Sequence, residues 1–95
     1  MLLAKVIGTV VSTRKEQSMT GLKFLLLRPL DADGKETGAP LVAVDAVGAG
    51  LHEVVMMAAG SSARQTEATR ERPCDAVIMA IVDSWEVGGE RKYKK

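Results

Sequence analysis

The sequence predicts a mainly β protein: a small, mostly antiparallel barrel of five or six strands with one short helix and a C-terminal hairpin. Three observations carry this. Short runs of β-branched and aliphatic residues alternate with glycine, proline and Asp-Gly turn signals throughout the chain. The chain is 46% hydrophobic but only 3% aromatic, so its core must be built from Val, Leu, Ile, Met and Ala. With 95 residues it is expected to be one domain, and a chain of that length buries only about two-thirds of the surface its unfolded form exposes.

Residues Leu2 to Ser12 read as the first strand, because Thr9-Val10-Val11 disfavours a helix. Arg14 to Ser18 is a polar turn. Gly21 to Arg28 is the second strand, with Leu22, Phe24 and Leu26 on one face and Lys23, Leu25 and Leu27 on the other. Pro29 ends it or marks an edge. Asp31 to Gly38 is a loop by its Asp-Gly chemistry. Leu41 to Val47 is a third strand, Gly48-Ala49-Gly50 a bend, and His52 to Ala59 a fourth strand. A serine at Gly60-Ser61-Ser62-Ala63-Arg64 can cap a helix of one or two turns, and the charged stretch Thr66 to Pro73 stops it. Ala76 to Val82 is the strongest strand and is expected to run on through Trp85 to Val87, with Gly88-Gly89 turning into a short last strand, Arg91 to Lys94.

Val54-Val55-Met56-Met57-Ala58-Ala59 does not alternate apolar with polar, so neither face of that strand reads as wetted. A single small barrel is poorly placed to cover both faces. A second subunit is the expected source of the missing cover, which points to assembly.

Charge and residue counts narrow the chemistry. Net charge is +1; Glu90 to Lys95 carry +3 (four positive, one negative), so the rest of the chain sums to −2 and is no polyanion binder. One cysteine, Cys74, rules out an internal disulfide and fits a reducing interior. No apolar run is long enough for a membrane span, no signal peptide is recognisable, and the cytoplasm is the expected compartment.

Neither a catalytic set nor a cofactor loop emerges, and no cofactor or metal is expected. His52 is the only histidine, so no site in one chain can use two imidazoles, and Glu53 beside it points to the opposite face of a strand. Gly60-Ser61-Ser62-Ala63 does not match a nucleophile elbow. Gly48-Ala49-Gly50 lacks the third glycine and following helix of a dinucleotide loop. Asp45 and Asp83, each inside an apolar strand, need a cation, an amide or water. Arg64 is a candidate partner for either, across a subunit boundary, the alternative being that both face solvent.

Several segments, in this order and spacing, resemble the pentameric vertex proteins of bacterial microcompartment shells, of the carboxysome and ethanolamine-utilisation types. They are Ala4 to Thr13, Gly21 to Arg28, Val44-Asp45-Ala46-Val47-Gly48-Ala49-Gly50, Gly60-Ser61-Ser62-Ala63-Arg64, and Asp75 through Asp83. The resemblance implies an oligonucleotide-binding-like barrel that assembles as a cyclic homopentamer and caps shell vertices among hexameric and pseudohexameric tiles. One departure falls at His52, where the family commonly has glycine before glutamate. The expected subunit-interface or pore-lining residues are Asp45, Gly48, Ala49, Gly50, His52, Glu53, Gly60, Ser61, Ser62, Arg64 and Asp83. The competing reading of the same barrel, a nucleic-acid-binding module, needs a basic groove with stacking aromatics, which three aromatics and a slightly acidic body do not supply.

Overall fold

The computed structural model describes residues 1–95. Five strands close into a barrel: β1 (Leu2–Val10), β2 (Phe24–Pro29), β3 (Leu41–Asp45), β4 (Val54–Ala59) and β5 (Ala76–Ile81), in the order β1-β2-β3-β5-β4. A separate hairpin joins β6 (Ser84–Val87) to β7 (Glu90–Lys94). The pairing is antiparallel except between β3 and β5, where a short parallel contact, Val44 with Val77 and Asp45 with Ile78, closes the barrel. Gln17–Met19 and Gly60–Arg64 are the two short helical segments, both of 3-10 type.

Alternation places the core. On β2, Leu25 and Leu27 point inward and are buried, opposite Ala43 and Leu41 of β3. Ala4 and Val6 of β1, Val55 and Met57 of β4, and Ala76 and Ile78 of β5 complete the interior, which holds no aromatic side chain. Aliphatic and methionine side chains fill so narrow a barrel without strain, as the composition foreshadows.

The structure corrects three sequence expectations. Residues 76–87 do not form one strand. Val82 donates its N–H to the Val54 carbonyl at 2.8 Å, and before Val54 the partner strand turns away, so beyond Val82 the chain has no neighbour in the barrel and leaves it. The helical segment begins without a serine cap: its N-cap is Ala59, with no side-chain bond, and the Gly60 amide is satisfied instead by the Asp75 carbonyl at 2.8 Å. The chain itself also covers most of both faces of β4. Val55 and Met57 face the interior, while Ala58 packs outside with Val44, Ala63 and Val77, under the Gly60–Arg64 turn. Only Met56 and Ala59 remain exposed.

The hairpin is held by side chains, not by a core. Trp85 donates its indole N–H to the Ala32 carbonyl at 2.8 Å, stacks on Tyr93 with centroids 5.1 Å apart, and lies against Gly34. Lys92 pairs with Asp33 at 3.3 Å. Trp85→Ala is therefore expected to raise amide exchange in β6 and β7 while leaving the β2 and β5 amides as protected as before. Hydrogen exchange read by mass spectrometry checks this, and uniform loss of protection would show that the hairpin is integral to the barrel.

Candidate assembly site

The segment between β3 and β4, Ala46 to Glu53, folds around two carboxylates. Asp45 ends β3 with its side chain only 2% exposed. Its Oδ1 accepts the amides of Val47 at 3.0 Å and Gly48 at 3.1 Å, and its Oδ2 accepts that of Ala49 at 3.1 Å. Lys23 Nζ, from the chain entering β2, lies 3.5 Å from Oδ2. A carboxylate that gathers three amides organises the turn much as a helix cap does, and its charge is answered without a deep ion pair. Gly48 takes φ +77°, a region that a β-branched side chain resists, and Ala49 is drawn into the core.

Glu53 closes the other end. Its Oε1 accepts the Gly50 amide at 2.5 Å, and its own N–H goes to the Gly50 carbonyl at 3.2 Å. Gly50 does not have positive φ. A Cβ there would stand 3.2 Å from the Glu53 carboxylate, so the absence of a side chain gives that carboxylate room to reach the Gly50 amide. The exposed His52 has φ 71° and is pinned by its N–H to the Val6 carbonyl at 2.9 Å. Lys95 Nζ reaches Glu53 Oε2 at 2.5 Å, and the Lys95 N–H reaches the Asp83 carbonyl at 2.8 Å.

This pairing sets opposite titration shifts. The hydrogen bond from Lys95, and then that from the Gly50 amide, hold the Glu53 carboxyl below its ordinary value, while Glu53 raises the Lys95 ammonium. A lowered carboxyl contributes stability above its unfolded value that is lost as pH falls through the folded one. A raised lysine contributes below its unfolded value and is lost as pH climbs through the folded one. The pair is thus complete between the ordinary values of about 4.3 and 10.4.

Of the residues singled out in the sequence, Asp45, Gly48, Ala49, Gly50, His52 and Glu53 share this turn, and Asp83 joins them through Lys95. Gly60, Ser61, Ser62 and Arg64 lie at the far end of β4, about 20 Å away for six residues of strand. Arg64 pairs with neither aspartate within the chain: it donates to the Cys74 carbonyl at 3.3 Å, while the Asp45 oxygens are occupied by amides and Lys23. Asp83 is exposed and forms no ion pair within the chain.

Two outward apolar rows escaped sequence reasoning. The pairing aligns Leu3, Met56 and Ala80 across β1, β4 and β5, and on another side of the barrel aligns Gly8, Leu26 and Val42 across β1, β2 and β3. Met56, central in the first row, and Val42, at the β3 end of the second, are their most exposed members, at 38% and 46%. Their signal in the sequence, apolar residues on both faces of a strand, was present but could not be assigned to a side without the register.

The fold and site define a small closed barrel with two outward apolar surfaces and no group of three or more metal-ligating side chains. Of its three aromatics, Trp85 and Tyr93 stack on each other in the hairpin, and Phe24 packs half-buried beside Val44, Ala58, Ala63 and Val77. The family model for the ethanolamine utilisation protein EutN/carboxysome type matches residues 1–83, and the chain belongs to that family. It is 46% identical over its whole length to the carboxysome shell vertex protein CcmL of Gloeobacter violaceus, covering 95% of that protein. It is 44% identical to the microcompartment shell vertex protein PduN of Salmonella typhimurium, over 88% of this chain and 97% of that one. The solved structure of Gloeobacter violaceus CcmL superposes with a TM-score of 0.95 over 100% of this chain and 98% of that one, at 46% identity. The pentameric microcompartment shell protein GrpN of Rhodospirillum rubrum superposes at 0.83, with 45% identity, over 92% of this chain and all of that one.

Proposed function

We propose that residues 1–95 act as one unit, five copies of which close into a ring that caps the vertices of a microcompartment shell in the bacterial cytoplasm, without catalysis. The observation that carries this is the pair of different outward apolar rows, one exposing Met56 and the other Val42, on separate sides of one closed barrel. Two unlike patches favour head-to-tail contact, and such contact closes into a ring when the rotation permits. Relatives named as shell vertex proteins and a pentameric structural neighbour support five as the number. In this reading the turn from Asp45 to Glu53 and the segment from Gly60 to Arg64, with Asp83, supply further subunit or pore contacts. The carboxylates and amides of the first turn fix its shape before assembly.

The partners in this reading are hexameric and pseudohexameric facet tiles. Hexagonal tiles alone give flat or cylindrical lattices, and pentagonal units permit closure. Produced with such tiles, the chain is expected to convert open sheets or tubes into closed polyhedra while remaining a minor component confined to vertices. Electron microscopy and composition analysis of purified particles test this. Particles equally closed without the chain, or carrying it across their facets, would contradict it.

A further inference from the structure

The turn before β4 holds a strained residue by means that reach outside the turn. His52 occupies the left-handed region, at φ 71°, which a non-glycine residue keeps only where its surroundings over-determine it. Three backbone bonds do part of this: His52 N–H to the Val6 carbonyl at 2.9 Å, Val6 N–H to the Glu53 carbonyl at 2.9 Å, and Glu53 N–H to the Gly50 carbonyl at 3.2 Å. The fourth restraint is a side chain. Glu53 Oε1 holds the Gly50 amide at 2.5 Å, and the same carboxylate's Oε2 holds Lys95 Nζ at 2.5 Å.

Lys95 follows β7, so this carboxylate is shared between the turn and the C-terminal hairpin. The hairpin is itself fixed to the loop between β2 and β3 by Trp85 on Ala32 and by Lys92 beside Asp33, and the Lys95 N–H on the Asp83 carbonyl extends its own ladder to Lys95. Glu53 has a side chain 22% exposed and is free to swing to water if nothing holds its second oxygen. With Lys95 in place, both oxygens are engaged and the one that serves Gly50 is oriented.

We propose that the Glu53–Lys95 pair is a latch through which the C-terminal hairpin holds the strained turn at Gly50 to Glu53 in the shape the ring uses, so that the hairpin tunes assembly. The part of this that concerns the ring rests on the pentamer reading; the part that concerns the turn does not.

The test compares the unsubstituted chain with Lys95→Met, Glu53→Gln, His52→Gly and the His52→Gly/Lys95→Met double variant at neutral pH. Two quantities are read: the exchange protection of the Gly50 amide, and the dissociation of the ring on dilution. Lys95→Met is expected to lower Gly50 protection about two- to fivefold, the scale of a partly exposed ion pair, leaving Val55 and Ile78 amides unchanged. Glu53→Gln is expected to act in the same direction. Ring dissociation should shift toward the free chain alongside. In the His52→Gly background the Lys95→Met effect should shrink, because glycine takes a positive φ without the penalty. Unchanged Gly50 protection in Lys95→Met overturns the latch whatever the oligomeric state. Lost protection with an unchanged ring overturns its link to assembly. A wild-type chain that never forms a ring overturns the pentamer reading together with that link, while the Gly50 measurement still decides the latch.

Discussion

Asp45→Ala is expected to lower the unfolding free energy by about 2–3 kcal/mol, measured by urea denaturation. The side chain, 2% exposed, accepts the amides of Val47, Gly48 and Ala49. Truncation leaves all three without their acceptor. The Val47 and Gly48 amides can turn to water, but Ala49 is buried at 3% exposure and its amide must stay unpaired or pull the core open. Asp45→Asn keeps one carbonyl oxygen for the turn and is expected to cost about half as much. Lys23→Met should cost at most about 1 kcal/mol, since the lysine side chain is 60% exposed and its charge is well solvated. An Asp45→Ala loss no larger than that of Lys23→Met would show that the turn is organised by something other than this carboxylate.

Met56→Asp is expected to abolish the ring while sparing the barrel. Met56 is exposed at 38% on the outer face, so an aspartate there is hydrated in the single chain and costs little. Buried against a neighbouring subunit without a partner, it costs about 3 kcal/mol or more, roughly a hundredfold in association. Val42→Asp, on the other apolar row, should do the same. Because a head-to-tail contact joins the two unlike rows, each variant keeps one good surface. A mixture of the two is then expected to form a heterodimer through the two intact rows and to stop there, whereas each alone stays monomeric. Analytical ultracentrifugation of the single variants and of the mixture reads this directly. Full rings from either variant would remove these rows from the interface.

The extent to which the sequence revealed all this follows from what local chemistry encodes. Every barrel strand was legible, because runs such as Leu22 to Leu27 and Ala76 to Val82 are bounded by glycine, proline or polar turns. The Gly88-Gly89 hairpin was legible for the same reason. Boundaries failed where tertiary pairing decides them. Nothing local in Val82-Asp83-Ser84 says that β4 has run out of residues to pair with. The lack of alternation in β4 was visible, but its main cause, cover from Ala63 in the following 3-10 turn, depends on a chain reversal that the sequence does not locate.

The site divides in the same way. Asp45 stood out as a carboxylate in an apolar strand needing amides or a cation, and it has both, Lys23 included. Arg64 sits at the other end of β4 in the same chain, so its expected pairing with an aspartate belongs to a subunit contact. Lys95 stood in the sequence only as one charge of the net-positive stretch Glu90 to Lys95, and only the return of β7 brings it to Glu53. His52 was recognisable as an odd residue where the backbone favours glycine, and its φ of 71° bears this out. Gly50 has a different reason from Gly48: room for the Glu53 carboxylate in the first case, backbone conformation in the second.

Native mass spectrometry of the purified chain at micromolar concentration tests the central claim most directly. A ring of five 10.1 kDa chains predicts a dominant species of about 50 kDa that dissociates to single chains and shows no stable even-numbered assembly. A dominant 10.1 kDa monomer across that concentration range, or a twofold dimer, would contradict it.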